Sequence, residues 1–378
     1  MKSHRLPWIL LGLALFGALI GFFLSTERSL SFFSEADAKI ELEASDLAAQ
    51  VDSDFPVRSN DQIGIQDLAY PSNAIPGELV FHFDSRQDYL AYLKALTNAG
   101  IAPLGQIDEL LAVRIPERAL LQANLAQFGA RASYSYRIER PLPPVEIDPK
   151  ALASLRHYGL SARSITGGFI AGQGEGVIVS ILDSGIQSHP QFDDIYIAHI
   201  DLAGGGVAGP GASHGTSVAS IITGSEGIAP AAELFVIRVL DDEGLGNSYD
   251  VAQGIVQAVD LGAQIINMSL GVYQDTPLLS QAVKYADDRG VIMVAAAGND
   301  GYNRMPYPAA YPQVLAVTAV DAGGQHTLFS NQSKEIDFAA PGVGVLTAKE
   351  DKGTTLFSGT SAAAPFVSGT LASLISGD

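Results

Sequence analysis

Cysteine is absent from all 378 residues, which excludes disulfides, thiolate nucleophiles and cysteine-ligated metals and leaves stability to packing alone. Basic residues are scarce: 22 Lys and Arg stand against 41 Asp and Glu, a formal charge of −19. Such a surface repels phosphate backbones and anionic headgroups, which argues against nucleic-acid binding. Charged residues make up 17% and apolar ones 47%, the composition of a chain that folds around a sizeable core in one large or two unequal domains. The N-terminus bears on location. Lys2 and Arg5 precede an almost uninterrupted apolar run from Leu6 to Leu24; basic residues ahead of such a run stay cytoplasmic, so the chain beyond the run is exported. Residues 1–25 therefore read as a retained signal-anchor, which would tie the protein to the membrane, or as a cleaved signal peptide, which would release it. The run is nearly bilayer-spanning, and the nearest small-x-small site, Ala36-Asp37-Ala38, lies well downstream.

Residues 26–75 are acidic and aperiodic and read as a spacer. Over 76–138 the pattern changes. Leu79, Phe81 and Phe83 alternate as in a strand; Tyr89, Leu90, Leu93 and Leu96 recur at helical spacing up to Gly100. Two short apolar stretches come next, then a helix opened by Pro116 and ending near Gly129, then the alternation of Ala132, Tyr134, Tyr136 and Ile138. That order is a split βαβ, a ferredoxin-like α+β domain. Residues 139–172 begin with Pro141, Pro143, Pro144 and Pro149, a stiff linker. From 173 to 378, nearly continuous apolar runs (177–182, 234–239, 265–270, 291–297, 314–320) alternate with helical stretches, including one capped by Ser248 and one opened by Thr276-Pro277. Runs apolar on both faces predict a doubly wound, mostly parallel α/β sheet.

Four residues in this second region carry chemistry. Asp183 ends an apolar strand before Ser184-Gly185, which places its carboxylate at the carboxyl edge of the sheet; alone, Asp-Ser-Gly is also ordinary turn chemistry. His214, in Ser213-His214-Gly215-Thr216, falls in the first turn of a helix. His4, His82, His157, His199 and His326 lack that context, and His189 is a decoy near Asp183. Ser361, in Gly359-Thr360-Ser361, falls at another helix start, with Pro365 expected in the first turn; a helix N-terminus favours developing negative charge. Asn299 follows a buried strand after Gly298 and offers an amide donor, although Gly-Asn alone is a turn signal.

These contexts, with Asp183-Ser184-Gly185, His214-Gly215-Thr216, Gly298-Asn299 and Gly359-Thr360-Ser361-x-x-x-Pro365 in that order, resemble the subtilisin-like serine peptidases. The resemblance implies a serine endopeptidase in which Asp183, His214 and Ser361 form the triad and Asn299 holds the oxyanion. It implies that Ser269-Leu270-Gly271 and Ala296-Ala297-Gly298 wall the pocket beside the scissile bond, and that Gly244-Leu245-Gly246 lines the far side of an extended polypeptide substrate. Residues 78–138 are similar to the family's propeptide, an intramolecular inhibitor cleaved from a zymogen. An unrelated domain of the same topology is the alternative there. For the whole chain, the alternative is a degenerate, anchored binding module.

Several positions depart from the family pattern. Ser217 and Phe366 stand where histidines are frequent. Gln191 stands where an aspartate often ligates structural calcium, and 224–230 is too short for the usual calcium loop. The usual calcium site is therefore expected to be absent and no other cofactor is expected; Asp193, Asp194, Asp241, Asp242 and Glu243 could hold a structural calcium elsewhere, although they read better as solvated loops. Gly204 to Gly211 lacks the Lys and Ser/Thr of a phosphate loop. Only 17 residues follow Ser361, enough for one helix, so the chain is short there by the family's measure.

Overall fold

The computed structural model describes residues 71–376 apart from 122–129, 143–158, 171, 207–209 and 322. The apolar run 6–24, the spacer up to residue 70, most of the second N-terminal helix and most of the proline-rich linker lie outside the described residues.

The first described layer is an antiparallel sheet of β1 (Glu78–His82), β2 (Gly105–Ile107), β3 (Ala112–Pro116) and β4 (Arg131–Ser133), with helix α1 (Arg86–Asn98) between β1 and β2. Its strand order is β2-β3-β1-β4. The Ser85 hydroxyl caps α1 by accepting from the Asp88 N–H at 3.1 Å. The alternation in β1 divides its side chains between two cores, as a period of two requires. Leu79 and Phe81 face Tyr89, Tyr92 and Leu96 of α1. Val80 faces the other way, into the core of the larger domain.

After β4 the chain leaves this sheet. Residues Arg137–Glu139 form β5, which pairs antiparallel with β9 (Leu245–Asn247) of the larger domain. That domain is built on seven parallel strands. In chain order these are β6 (Ile178–Asp183), β7 (Ile197–Asp201), β8 (Glu233–Arg238), β10 (Ile265–Met268), β11 (Ile292–Ala296), β12 (Val314–Val320) and β13 (Phe338–Pro341). Across the sheet they run β13-β12-β11-β10-β6-β8-β7. The chain starts at β6 and winds to one side through β7 and β8, then to the other through β10 to β13. The switch point falls at the carboxyl end of β6, where such sheets open a crevice.

Helices cover both faces. On one lie α2 (Ser213–Ile222) and α5 (Thr360–Ile375); on the other lie α3 (Ser248–Asp260) and α4 (Pro277–Asp287). The division is visible in β10. Ile266 and Met268 enter the core formed with α3 and α4, whereas Asn267 accepts from the Ser368 hydroxyl of α5 at 2.9 Å. Thr276 caps α4 as expected, accepting from the Leu279 N–H at 3.1 Å. The cap of α3 is Asn247, one residue earlier than expected, and Ser248 is instead the first helical residue. The Ser248 hydroxyl accepts from the Tyr136 N–H at 3.0 Å.

The N-terminal sheet lies against α3 and α4. Val80, Ile107, Leu110 and Ala112 share one core with Tyr249, Ala252, Ile255, Leu279 and Val283. Arg114 stacks over the Tyr249 ring with its guanidinium carbon 4.4 Å from the centroid and pairs with Asp250 at 3.3 Å.

Candidate active site

The switch point places Asp183 in the interior. Its side chain is fully buried, and one oxygen accepts from the Ser184 N–H at 2.7 Å. His214, the second residue of α2, brings Nδ1 to within 2.8 and 3.0 Å of the two carboxylate oxygens. A carboxylate accepts only, so Nδ1 carries the proton and Nε2 is free to act as a base. The ring of Phe357, which ends the β14–β15 hairpin (Val345–Ala348 and Thr354–Phe357), meets the imidazole edge-on at 5.3 Å. Gly215 follows the histidine because a Cβ there would lie 3.3 Å from the Asp183 Cβ and run into the Gly185 carbonyl. His189, the decoy, is engaged elsewhere: its Nδ1 accepts from the Gln191 N–H at 3.1 Å, and its Nε2 donates to the Gly353 carbonyl at 3.0 Å.

Ser361 is the second residue of α5, which begins one residue after Gly359. Gly359 has φ 127° and ψ 173°, a region open essentially to glycine alone. Pro365 is the sixth residue of the helix, not a first-turn residue as the sequence suggested. Lacking an N–H, it leaves the Ser361 carbonyl without its i+4 partner. The Ser269 hydroxyl donates to that carbonyl at 3.3 Å. The Ser361 Oγ and the His214 Nε2 are both closed off from solvent, and neither has a hydrogen-bond partner among the described residues. The Asp183–His214 link is thus formed and the His214–Ser361 link is open. Such links tighten only when a productive complex forms in many hydrolases.

Asn299 lies beside the serine, with its amide orientation fixed. The Thr360 N–H can only donate, and it meets the Asn299 Oδ1 at 2.9 Å, joined there by the Thr360 hydroxyl at 2.8 Å. The Nδ2 end must therefore point away, and it donates to the carbonyl oxygen of Leu142 at 2.9 Å.

Leu142 belongs to a segment laid along the site as an added strand. Ile138 pairs with Gly246 and Glu139 with Leu245. The Arg140 N–H donates to the Gly244 carbonyl at 3.1 Å, and Glu139 exchanges two backbone hydrogen bonds with Gly271, at 3.0 and 3.2 Å. Gly244, Leu245 and Gly246 thus border this segment on one side and Gly271 on the other. Ser269 and Leu270 lie on the approach to Gly271; Ala296 ends β11 and Ala297 and Gly298 follow it, all buried. Close approach explains the glycines: a Cβ on Gly244 would lie 2.7 Å from the Arg140 Cδ. Three participants had no sequence signal. Asn331 holds the Ala297 carbonyl through Nδ2 at 2.9 Å, Phe357 packs on the histidine, and residues 139–142 lie along the groove although Pro141 and the prolines after it read as linker.

Gln191 does not suit a cation. Its Nε2 donates to the carbonyls of Ser220 and Thr223 at 2.7 and 3.1 Å, so a donor group occupies the place where those oxygens would face an ion. Among the described residues no cluster of three or more His, Asp or Glu side chains is placed to hold a metal.

Comparison with known proteins is decisive about kinship: residues 174–378, more than half of the chain, match the model of the subtilase family. The chain belongs to the subtilase family. It is 41% identical over 213 residues to a thermostable alkaline protease of Halalkalibacterium halodurans, covering 53% of this chain and 56% of that one. It is 37% identical over 212 residues to Subtilisin BL of Lederbergia lenta, of which 76% is covered. The chain thus spans little more than half the length of the first relative. Among solved structures, fervidolysin of Fervidobacterium pennivorans, described as a keratinolytic enzyme related to subtilisin, matches with a TM-score of 0.67 and 26% identity. That match covers 81% of this chain and 55% of fervidolysin, so the likeness extends beyond the residues that match the subtilase model.

Proposed function

We propose that this chain is a serine endopeptidase made as an exported zymogen, with residues 76–138 as an intramolecular inhibitor and residues 139–142 as the segment that fills the active site. The observation that carries the reading is the Asn299 amide donating to a main-chain carbonyl, that of Leu142, at 2.9 Å, where an extended strand runs between two backbone rims. A peptide held this way is recognised through its main chain, which suits polypeptide substrates of varied sequence.

In the reaction, His214 Nε2 takes the proton of Ser361 as Oγ attacks the carbonyl carbon. Asp183 fixes the tautomer and stabilises the imidazolium. Asn299 Nδ2 and the N–H groups at the start of α5 hold the oxyanion. The imidazolium then gives its proton to the leaving nitrogen, and water, activated by the same histidine, releases the acyl group. With Gln191 donating to carbonyls, no calcium enters at that position.

The apolar run after Lys2 and Arg5 supports a peptidase domain facing away from the cytoplasm, anchored or released. Among the described residues no helix is long and apolar enough to cross a membrane. The open His214–Ser361 link favours a second reading, a binding module that keeps the fold without turnover. Mass spectrometry of the recovered chain separates the two. A wild type shortened at its N-terminus beside an intact Ser361→Ala variant supports the endopeptidase; identical masses favour the module.

A further inference from the structure

Strands β6, β8 and β7 lie side by side and end in register on charged residues, with Asp183 on one side of Arg238 and Asp201 on the other. Asp183 belongs to the site already described. Arg238 is only 1% exposed, and taking a cation out of water is costly unless partners surround it. Its partners come from separate segments. Nη1 donates to the carbonyls of Ser184 at 3.3 Å and Gly206 at 2.7 Å, Nη2 donates to Asp242 at 2.9 Å, and Nε faces Asp201 at 3.7 Å.

These partners lead to His214 and to its carboxylate. The Ser184 N–H donates to Asp183, and the Ser184 hydroxyl accepts from the Gly215 N–H at 3.4 Å, next to the histidine. Asp201 accepts from the N–H groups of Gly204 and Gly206, both at 2.8 Å, and Asp242 accepts from that of Gly211 at 3.3 Å. Gly211 lies so close to the Asp242 backbone that a Cβ has no place there. One residue on, the Ala212 carbonyl accepts from the Thr216 hydroxyl at 2.7 Å, in the first turn of the helix that carries His214. The 244–246 side of the groove is held through Asp241 instead, which accepts from the Leu245 N–H at 2.8 Å.

We infer that Arg238 is a positioning residue for the Asp183–His214 pair: its guanidinium ties the residue after the carboxylate to the segment that starts the histidine's helix, and its charge offsets those of Asp201 and Asp242. The inference rests on the endopeptidase reading and deepens it. Removing the guanidinium leaves two carboxylates uncompensated, which favours the imidazolium and so switches activity off at a higher pH.

The test follows kcat, KM and the acid limb of kcat/KM for a quenched fluorescent peptide at low salt, where charge effects are least screened, using the full chain allowed to process. Arg238→Met is expected to lower kcat by about tenfold or more with KM little changed, and to move the acid limb up by about half a pH unit or more. Arg238→Lys keeps the charge but not the fork, so its limb should stay with that of wild type while kcat is only partly restored. Asp242→Asn removes a negative charge at a partly exposed residue and is expected to move the limb down; it stands in should Arg238→Met fail to fold. Limbs that do not move, or that move the same way in the methionine and asparagine variants, overturn the inference and leave the endopeptidase reading in place, as does a folded Arg238→Met with the kcat of wild type. A wild type that neither cleaves the peptide nor is labelled at Ser361 by a fluorophosphonate overturns the endopeptidase reading and this inference with it.

Discussion

Asn299 and Leu142 lie 157 positions apart in the chain, and the Nδ2 of the first donates to the carbonyl oxygen of the second at 2.9 Å. The other end of the same amide is bound twice by Thr360, so the donor is oriented before any substrate arrives. Replacing Asn299 with Ala is expected to lower kcat by about a hundredfold or more, with a smaller change in KM, because the oxyanion develops only in the transition state. That magnitude is carried over from subtilisin itself. Steady-state kinetics on a peptide substrate measures it, and an unchanged kcat would remove Asn299 from the mechanism.

Gly359 links this donor to the helix that carries Ser361. A Cβ at that position would lie 2.7 Å from the Asn299 Nδ2, on a backbone at φ 127° and ψ 173°. Gly359→Ala is expected to cost about 1–3 kcal/mol of stability and to lower turnover as well, because Asn299 must shift to admit the methyl group. Denaturant unfolding alongside kcat checks both; a variant as stable and as active as wild type would show that the helix start tolerates a side chain.

Leu142 is followed by Pro143 in the sequence, and a proline nitrogen carries ring Cδ where other residues carry hydrogen. A bond to such a nitrogen is a poor one for acyl transfer, which suits the proposed reading of residues 139–142 as a segment that occupies the site. Protein recovered after self-processing is expected to lack an N-terminus at Pro143, and Pro143→Ala is expected to create one at that position. Edman sequencing or intact-mass analysis decides, and a wild-type N-terminus at Pro143 contradicts the expectation.

His82, on the same face of β1 as Val80, is buried and bonded through Nε2 to the Ser133 hydroxyl at 2.8 Å. Burial, with the Arg131 charge adding to it, pulls its pKa from 6.5 down to about 4. The unfolded chain therefore takes up a proton near pH 6.5 and the folded chain only near 4, so stability falls as pH drops through that window. The gap corresponds to at most about 3 kcal/mol. Glu78 and Asp250, raised by burial despite Arg114, act in the opposite sense. The readout is thus a difference: between pH 7 and 4, wild type should lose more stability in urea than His82→Gln. Equal losses would show that His82 is not held neutral by the fold.

The sequence was most legible where local chemistry and global position coincide. Asp183, His214, Ser361 and Asn299 each stand at a strand end or helix start that periodicity locates, and the parallel sheet brings those termini to one edge. It was less legible where pairing partners matter. Ala132, Tyr134, Tyr136 and Ile138 alternate as one strand, but alternation records which side is buried, not what the backbone pairs with. The structure divides the run, giving β4 to the N-terminal sheet and β5 to β9. The three residues of β9 include Gly246 and Asn247, too few and too polar to read as a strand. Asn331 holds the Ala297 carbonyl from a loop, where no period marks a position. Pro365 looked like a first-turn residue because its spacing from Ser361 was legible but the start of the helix was not.

The central claim is that the hydroxyl of Ser361 is a nucleophile activated by His214. It is tested most directly by treating the processed full chain with a fluorophosphonate probe and casein, beside Ser361→Ala. The account predicts that wild type is labelled at Ser361 alone and degrades casein, and that the variant, folded equally well, does neither. A processed wild type that is neither labelled nor active, or a Ser361→Ala variant that still degrades casein, would contradict it.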